Sequence, residues 1–101
     1  MKHNIVIQYQ TKPDATERNA ELVQNVFREA AAAKPDVRYC VLRTADGTFF
    51  HLVSYETEEA NEGLTGLPAF EAFVADGATR RTGPPQRAEV TVVGNYRMLA
   101  E

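Results

Sequence analysis

The sequence predicts an antiparallel α+β fold in the order strand, helix, strand, strand, helix, strand. Three observations predict it: a hairpin in the middle of the chain, a long amphipathic helix before it, and β-type runs near both ends. The hairpin is Val37–Glu56, with Asp46-Gly47 as a dipeptide typical of tight turns. The order fits a ferredoxin-like βαββαβ arrangement, a four-stranded antiparallel sheet with two helices on one face.

The first half of the chain supplies a strand and a helix of matching length. Ile5–Gln10 is a β-type run that Lys12-Pro13 ends. The segment from Glu17 to Lys34 then has apolar residues at three- and four-residue spacing, which is the pattern of one buried helical stripe. These residues are Ala20, Val23, Phe27 and Ala30, with Leu22, Val26 and Ala31 beside them.

The second half is less regular. Residues 56–63 are acidic and polar, which favours a loop or a loose helical turn. Pro68 introduces a second, shorter helix with apolar residues on one side, and Asp76-Gly77 is a candidate end for it. Ala88–Tyr96 alternates well enough for the final strand.

Length and composition indicate one ordinary globular domain over residues 1–101. Of the 101 residues, 44% are hydrophobic and 25% charged, and the net charge is −3. This balance gives no reason to bind nucleic acid or an anionic membrane. No apolar stretch approaches the length of a membrane span, and no signal-peptide pattern opens the chain, so we expect a cytoplasmic protein. No metal-ligand spacing is present, and Cys40 is the only cysteine.

Both faces of the predicted sheet carry apolar residues, although helices cover only one of them. In the first strand, Val6 lies on the face opposite to that of Ile5 and Ile7. In the third strand, Phe50 and Leu52 lie on the face opposite to that of Phe49, Val53 and Tyr55. A monomer would leave a contiguous apolar patch in water, which usually marks an interface. We therefore expect two copies of the chain to pack sheet against sheet as a homodimer.

The run "IVIQYQTKPD", the amphipathic helix, the hairpin ending "FFHLVSYET", then "LPAFEAF" and "VTVVGNY" together resemble the dimeric α+β barrel superfamily. Within it, the chain is similar to small proteins of the antibiotic biosynthesis monooxygenase type. The resemblance implies a dimeric barrel with a pocket between each sheet and its own helices. Haem-degrading relatives use an asparagine in the first strand, for which Asn4 could stand, but also a tryptophan that this sequence lacks. The resemblance therefore implies chemistry without a cofactor.

His51 is the main catalytic candidate, because an imidazole in an apolar strand can act as an acid or base near neutral pH. The hairpin turn decides which residues share its face. A two-residue loop places Leu42 opposite His51, on a face that includes Cys40, Val53 and Tyr55. A three-residue loop shifts the pairing by one, places Val41 opposite His51 and brings Tyr39 and Arg43 to that side. The sequence leaves both registers open.

The candidate substrate-binding residues are Tyr39, Tyr55, Gln8, Arg43 and Asn4. Gln8 and Asn4 could fix a ligand carbonyl or face the space between two subunits. Three arginines near Gly83 could receive an anion, although a solvated loop is the simpler interpretation. They are Arg80, Arg81 and Arg87.

Two functions of different classes follow. The first is a cofactor-independent monooxygenase-like enzyme, or an isomerase, that acts on a small planar apolar substrate with His51 as the base. The second is a non-catalytic homodimer that binds a small molecule or serves in assembly. A regulatory domain that binds an effector at a subunit interface is a third possibility of the same fold.

Overall fold

The structure is a computed structural model that describes residues 3–99. It contains four strands and four helices in this part of the chain. They are β1 His3–Gln10, α1 Thr16–Ala33, β2 Val37–Arg43, β3 Thr48–Tyr55, α2 Glu58–Thr65, α3 Pro68–Ala75, α4 Gly77–Arg80 and β4 Gln86–Glu89.

The four strands form one sheet in the order β2-β3-β1-β4, and all neighbouring strands are antiparallel. At the centre, Ile7 of β1 lies between His51 of β3 and Arg87 of β4. This is the predicted ferredoxin-like α+β fold.

The hairpin uses the three-residue loop, one of the two alternatives that the sequence leaves open. Thr44 N–H donates to the carbonyl oxygen of Thr48 at 2.9 Å, which leaves residues 45–47 as the loop. Gly47 occupies the left-handed region with φ of 87°, where a residue without a side chain is favoured. The Asp46 carboxylate accepts hydrogen bonds from Thr44 and Thr48. Val41 therefore pairs with His51, and Tyr39 shares their face of the sheet.

The core lies between the sheet and the helices. Helix α1 buries its stripe through Leu22, Val23 and Val26, which pack on Tyr9 and Phe49 of the sheet. Burying an aliphatic or aromatic side chain contributes about 1.5–3 kcal/mol, so this layer is the main source of stability. Asn19 belongs to the same buried stripe and is its only polar member among the buried residues of α1.

The acidic segment after β3 is a helix, which corrects the expectation of a loop or loose turn. Thr57 caps α2, because its side chain accepts a hydrogen bond from the Ala60 N–H at 3.1 Å. Glu58 and Glu59 lie in the first turn, where negative charge is favourable next to the helix dipole. Helix α3 begins at Pro68 and ends before Asp76, as expected.

The last strand is earlier and shorter than the predicted Ala88–Tyr96. It covers Gln86–Glu89 and pairs with β1, and the last bond is from the Val90 N–H to the Asn4 carbonyl at 2.7 Å. The alternating pattern continues to Tyr96, but the residues after Val90 are not in a strand, and Val93 is 99% exposed.

The sheet face away from the helices carries apolar residues at its centre. Leu52 pairs with Val6 on one side and with Cys40 on the other, while Phe50 pairs with Leu42, which is 53% exposed. Polar residues flank this group, so we call Val6, Cys40, Leu42, Phe50 and Leu52 the apolar sheet patch. In residues 3–99, no helix is both long and apolar enough to cross a membrane.

Candidate functional site

His51 lies on the helix-facing side of β3 and is buried, with 5% of its surface exposed. Both ring nitrogens contact tyrosine hydroxyls: Nε2 lies 2.8 Å from Tyr9 Oη and Nδ1 lies 2.8 Å from Tyr39 Oη. The Phe73 ring stacks on the imidazole with a centroid separation of 5.5 Å. The imidazole is therefore held in one orientation by three aromatic neighbours.

The hydrogen bonds continue from Tyr9 into the helical layer. The side-chain amide of Asn19 donates from Nδ2 to Tyr9 Oη at 2.9 Å. Arg80 Nε donates to Asn19 Oδ1 at 2.9 Å, and Arg80 Nη2 donates to the Phe73 carbonyl oxygen at 2.5 Å. We call this connected set of side chains the polar chain. In order, its members are Arg80, Asn19, Tyr9, His51 and Tyr39.

Burial changes the ionisation of this chain. Desolvation lowers the pKa of His51 from 6.5 to about 4, so the imidazole is neutral at neutral pH. Desolvation also raises the pKa of Tyr39, and it raises that of Tyr9 against the opposing effects of Asn19 and two arginines. Burial lowers the pKa of Arg80, although an arginine stays charged in proteins.

A cavity of about 180 Å³ opens between the sheet and helices α2 and α3, beside Tyr39 and His51. Its walls are mostly aliphatic and aromatic. The lining residues are Ile5, Ile7, Tyr39, His51, Val53, Tyr55, Asn61, Leu64, Thr65, Phe70 and Arg87. The volume is below the range typical of sites for drug-sized ligands, and it suits a ligand of one or two rings.

Three of the six residues predicted for the site meet at this cavity: His51, Tyr39 and Tyr55. The Tyr55 ring is buried, and its hydroxyl donates to Glu58 at 3.3 Å. The three-residue hairpin loop brings Tyr39 to His51, and Tyr55 lies on the same face because it is four residues after His51 in the strand.

The other three predicted residues do not line the cavity. Asn4 and Gln8 have even positions in β1 and so lie on the face away from the helices. The Asn4 side chain accepts a hydrogen bond from Ser54 at 2.7 Å, and Gln8 is exposed. Arg43 lies at the end of β2, where its guanidinium forms an ion pair with Glu17 at 2.8 Å.

Tyr9 and Asn19 are not among the residues predicted for the site, and Arg80 is not in the solvated loop predicted for it. Asn19 stands three and four residues before Leu22 and Val23, so its position on the apolar stripe of α1 was a usable signal for a buried polar group. Arg80 is 6% exposed rather than solvated, because α4 turns its side chain into the core. Arg87 lines the cavity but is itself exposed.

Within the described residues, no group of three or more His, Cys, Asp or Glu side chains could hold a metal ion. Cys40 is exposed. The cavity combines mostly apolar walls with a polar end at Tyr39 and His51, and Asn61, Thr65 and Arg87 also line it.

The solved structures similar to this chain include several that are named antibiotic biosynthesis monooxygenases. One from Nitrosomonas europaea, provisionally named as such a monooxygenase, is 15% identical, with a TM-score of 0.75 over 90% of this chain and 89% of that chain. One from Caulobacter crescentus, named in the same way, is 18% identical, with a TM-score of 0.75 over 91% and 90%. One from Bacteroides thetaiotaomicron, also so named, is 11% identical, with a TM-score of 0.80 over 97% and 95%.

No family model matches the chain, and no curated protein matches its sequence. The structural similarity confirms the predicted resemblance at the level of the fold. At these identities it does not define a substrate or a reaction.

Proposed function

We propose that this chain is a cofactor-independent monooxygenase-like enzyme for a small, planar, mostly apolar substrate that carries an ionisable hydroxyl group. The observation that carries the proposal is the cavity: its walls are mostly aliphatic and aromatic, and at one end the Tyr39 hydroxyl contacts His51. The fold shared with monooxygenase-type proteins supports the reaction class by analogy.

The chemistry needs little from the protein. An ionised phenol or enol is electron-rich and can react with O₂ directly. For a naphthol, one oxygen atom forms a new C=O bond, and the other leaves as water with the two hydrogens that the substrate loses. The substrate supplies all the electrons, so the balance requires no external reductant. The protein contributes a dry enclosure and a donor for the ionised oxygen.

The polar end assigns separate tasks to two residues. Tyr39 presents its hydroxyl beside the cavity and would contact the substrate oxygen. Both nitrogens of His51 are occupied by tyrosine hydroxyls, so His51 would act on the substrate only through Tyr39. In this proposal His51 orients the Tyr39 hydroxyl toward the ionised substrate oxygen and does not itself take the substrate proton.

Turnover of alpha-naphthol tests the proposal. We expect O₂ consumption, and incorporation of one labelled oxygen atom into the quinone product. Tyr39→Phe removes the hydroxyl and should lower kcat/KM about 100-fold, the usual effect of losing one oxyanion donor. His51→Gln should also lower kcat/KM, whereas Tyr96→Phe, at a residue that is 79% exposed, should not.

A non-catalytic small-molecule-binding homodimer is the alternative, and one observation favours it. The low pKa of His51 makes the imidazole a weak base at neutral pH. Suppose that naphthol binds, but that neither the wild-type protein nor any variant raises O₂ consumption above the uncatalysed rate. The binding function is then supported, and an enzyme for this substrate class is excluded.

We also propose that the chain is a homodimer whose apolar sheet patches pack together. Leu52→Glu places a charge at the centre of the patch and should convert the dimer to a monomer at micromolar concentration, measured by light scattering. Val74→Glu is the matched control, because Val74 is 56% exposed on α3 and lies outside the patch. A monomeric wild-type protein would contradict the dimer.

A further inference from the structure

Only one direction of the hydrogen bonds in the polar chain places the remaining hydroxyl hydrogen at the cavity and not in the core. The guanidinium of Arg80 can donate but not accept, so Nε must face an oxygen. The oxygen at 2.9 Å is Oδ1 of Asn19, and this fixes the orientation of the Asn19 amide. Its Nδ2 group therefore faces Tyr9 Oη and donates to it.

This orientation determines where the hydroxyl hydrogen of Tyr9 points. In the described part of the chain, Tyr9 Oη contacts two groups, the Asn19 amide and His51 Nε2. Since the amide is a donor, Tyr9 must donate to Nε2. The reverse arrangement would leave a buried hydroxyl hydrogen without an acceptor, at a cost of about 1–3 kcal/mol. The neutral imidazole therefore carries its proton on Nδ1.

The direction continues to the cavity. His51 Nδ1–H donates to Tyr39 Oη at 2.8 Å, so the Tyr39 hydroxyl accepts from the histidine. Its own hydrogen then needs a different acceptor, and none of residues 3–99 provides one. Because Tyr39 lines the cavity, this hydrogen is available to a ligand there.

The positive charge of Arg80 also favours the Tyr39 hydroxyl as a donor. Arg80 is buried, and no carboxylate of residues 3–99 forms an ion pair with it. A positive charge at the start of a chain of donors polarises each bond and strengthens the final donor. Arg87, at the cavity lining, adds a second positive group.

We propose that the polar chain makes Tyr39 an obligatory hydrogen-bond donor, so that the cavity binds planar phenols and enols as their anions. The ligand class rests on the proposed function, whereas the direction of the chain does not. Asn19 and Arg80 are positioning residues in this arrangement: they act on the ligand through Tyr9, His51 and Tyr39 and do not contact it.

The proton position on His51 can be measured directly. In ¹⁵N-labelled wild-type protein without ligand, long-range ¹H–¹⁵N spectra should show a neutral imidazole protonated on Nδ1. The protein has two histidines, and His3→Gln assigns the signals. A proton on Nε2 of wild-type His51 would overturn the proposal.

Asn19→Asp should reverse the direction of the hydrogen bonds from Tyr9 to Tyr39 without changing the size of the side chain. A carboxylate can accept from both Arg80 and Tyr9, so Tyr9 would accept from Nε2–H, and Tyr39 would donate to Nδ1 instead of to the ligand. We expect Nε2 to become protonated in this variant. Asn25→Asp adds the same charge to α1 outside the polar chain and should leave the wild-type pattern. An Asn19→Asp protein whose Nε2 stays unprotonated would contradict the proposal.

Binding of para-nitrophenol tests the ligand class, because the visible absorbance of the nitrophenolate reports its ionisation. Wild-type protein should bind the anion about tenfold more tightly than the neutral phenol, which lowers the pKa of the bound probe by about one unit. Asn19→Asp and Tyr39→Phe should lose this preference. The ether para-nitroanisole, which cannot ionise, should bind all variants with similar affinity.

The two sets of measurements separate the possible failures. If the imidazole proton is on Nδ1 but para-nitrophenol does not bind, the ligand class and the proposed function are both wrong. If alpha-naphthol is turned over while the proton of His51 is on Nε2, the proposed function survives and this inference fails. Equal affinity for the phenol and its anion would also overturn the inference.

Discussion

Between pH 6.5 and pH 4, we expect His51 alone to lower the free energy of unfolding by about 3 kcal/mol. The unfolded chain binds a proton at an ordinary histidine, with a pKa of 6.5, whereas burial lowers the pKa in the folded protein to about 4. As the pH falls through this window, protonation stabilises only the unfolded state. The contribution is complete above pH 6.5 and is lost by pH 4. Urea denaturation at a series of pH values and one protein concentration measures it.

The two histidines provide a matched control for this experiment. His51→Gln should remove the pH dependence in that window, while His3→Gln should retain it, because His3 lies at the surface beside Glu89. Carboxyl groups titrate in both variants, so the difference between the two curves isolates His51. A wild-type curve parallel to that of His51→Gln would show that the buried imidazole is already protonated in the folded protein.

Asn19→Ala should lower the free energy of unfolding by about 3 kcal/mol, because it leaves a buried guanidinium without its acceptor. Asn19 is 1% exposed, and it joins Arg80 to Tyr9 through two hydrogen bonds of 2.9 Å. Removing the Asn19 side chain leaves Arg80 Nε without its acceptor and Tyr9 Oη without its donor, between the helices and the sheet. Denaturant unfolding at neutral pH measures the loss.

Two further variants separate the loss of hydrogen bonds from the loss of packing. Asn19→Asp keeps an acceptor for Arg80 and should retain most of the stability that Asn19→Ala loses. Asn25→Ala changes the same residue type on α1 away from the sheet and should alter stability by less than about 0.5 kcal/mol. Equal losses for Asn19→Ala and Asn19→Asp would assign the effect to packing.

Much of the fold could be predicted because its signals are local. The three- and four-residue spacing places α1 on the sheet, and the turn dipeptide places the hairpin. His51 could be predicted as a candidate site residue since a histidine in an apolar strand is unusual. Whether Tyr39 shares its face was left open, because Asp46-Gly47 is compatible with two loop lengths. Only the bonds among Thr44, Asp46 and Thr48 select the register that brings Tyr39 to the imidazole.

The remaining features depend on contacts that are distant in sequence. Arg80 belongs to a short helix, and nothing in its neighbours indicates that it enters the core to meet Asn19, 61 residues earlier. The pairing of β4 with β1 stops at Glu89, although the alternation of its own residues continues further along the chain. Asn4 and Gln8 were assigned by residue type, while the strand pleat decided their face of the sheet.

The polar chain also limits how early this protein can complete its folding during synthesis. Its members come from β1, α1, β2, β3 and α4, and they span 61 residues between Asn19 and Arg80 and 42 between Tyr9 and His51. A nascent chain that has emerged only as far as the hairpin lacks the guanidinium that orients Asn19. The polar chain can therefore be complete only after α4 has been synthesised and has docked on α1.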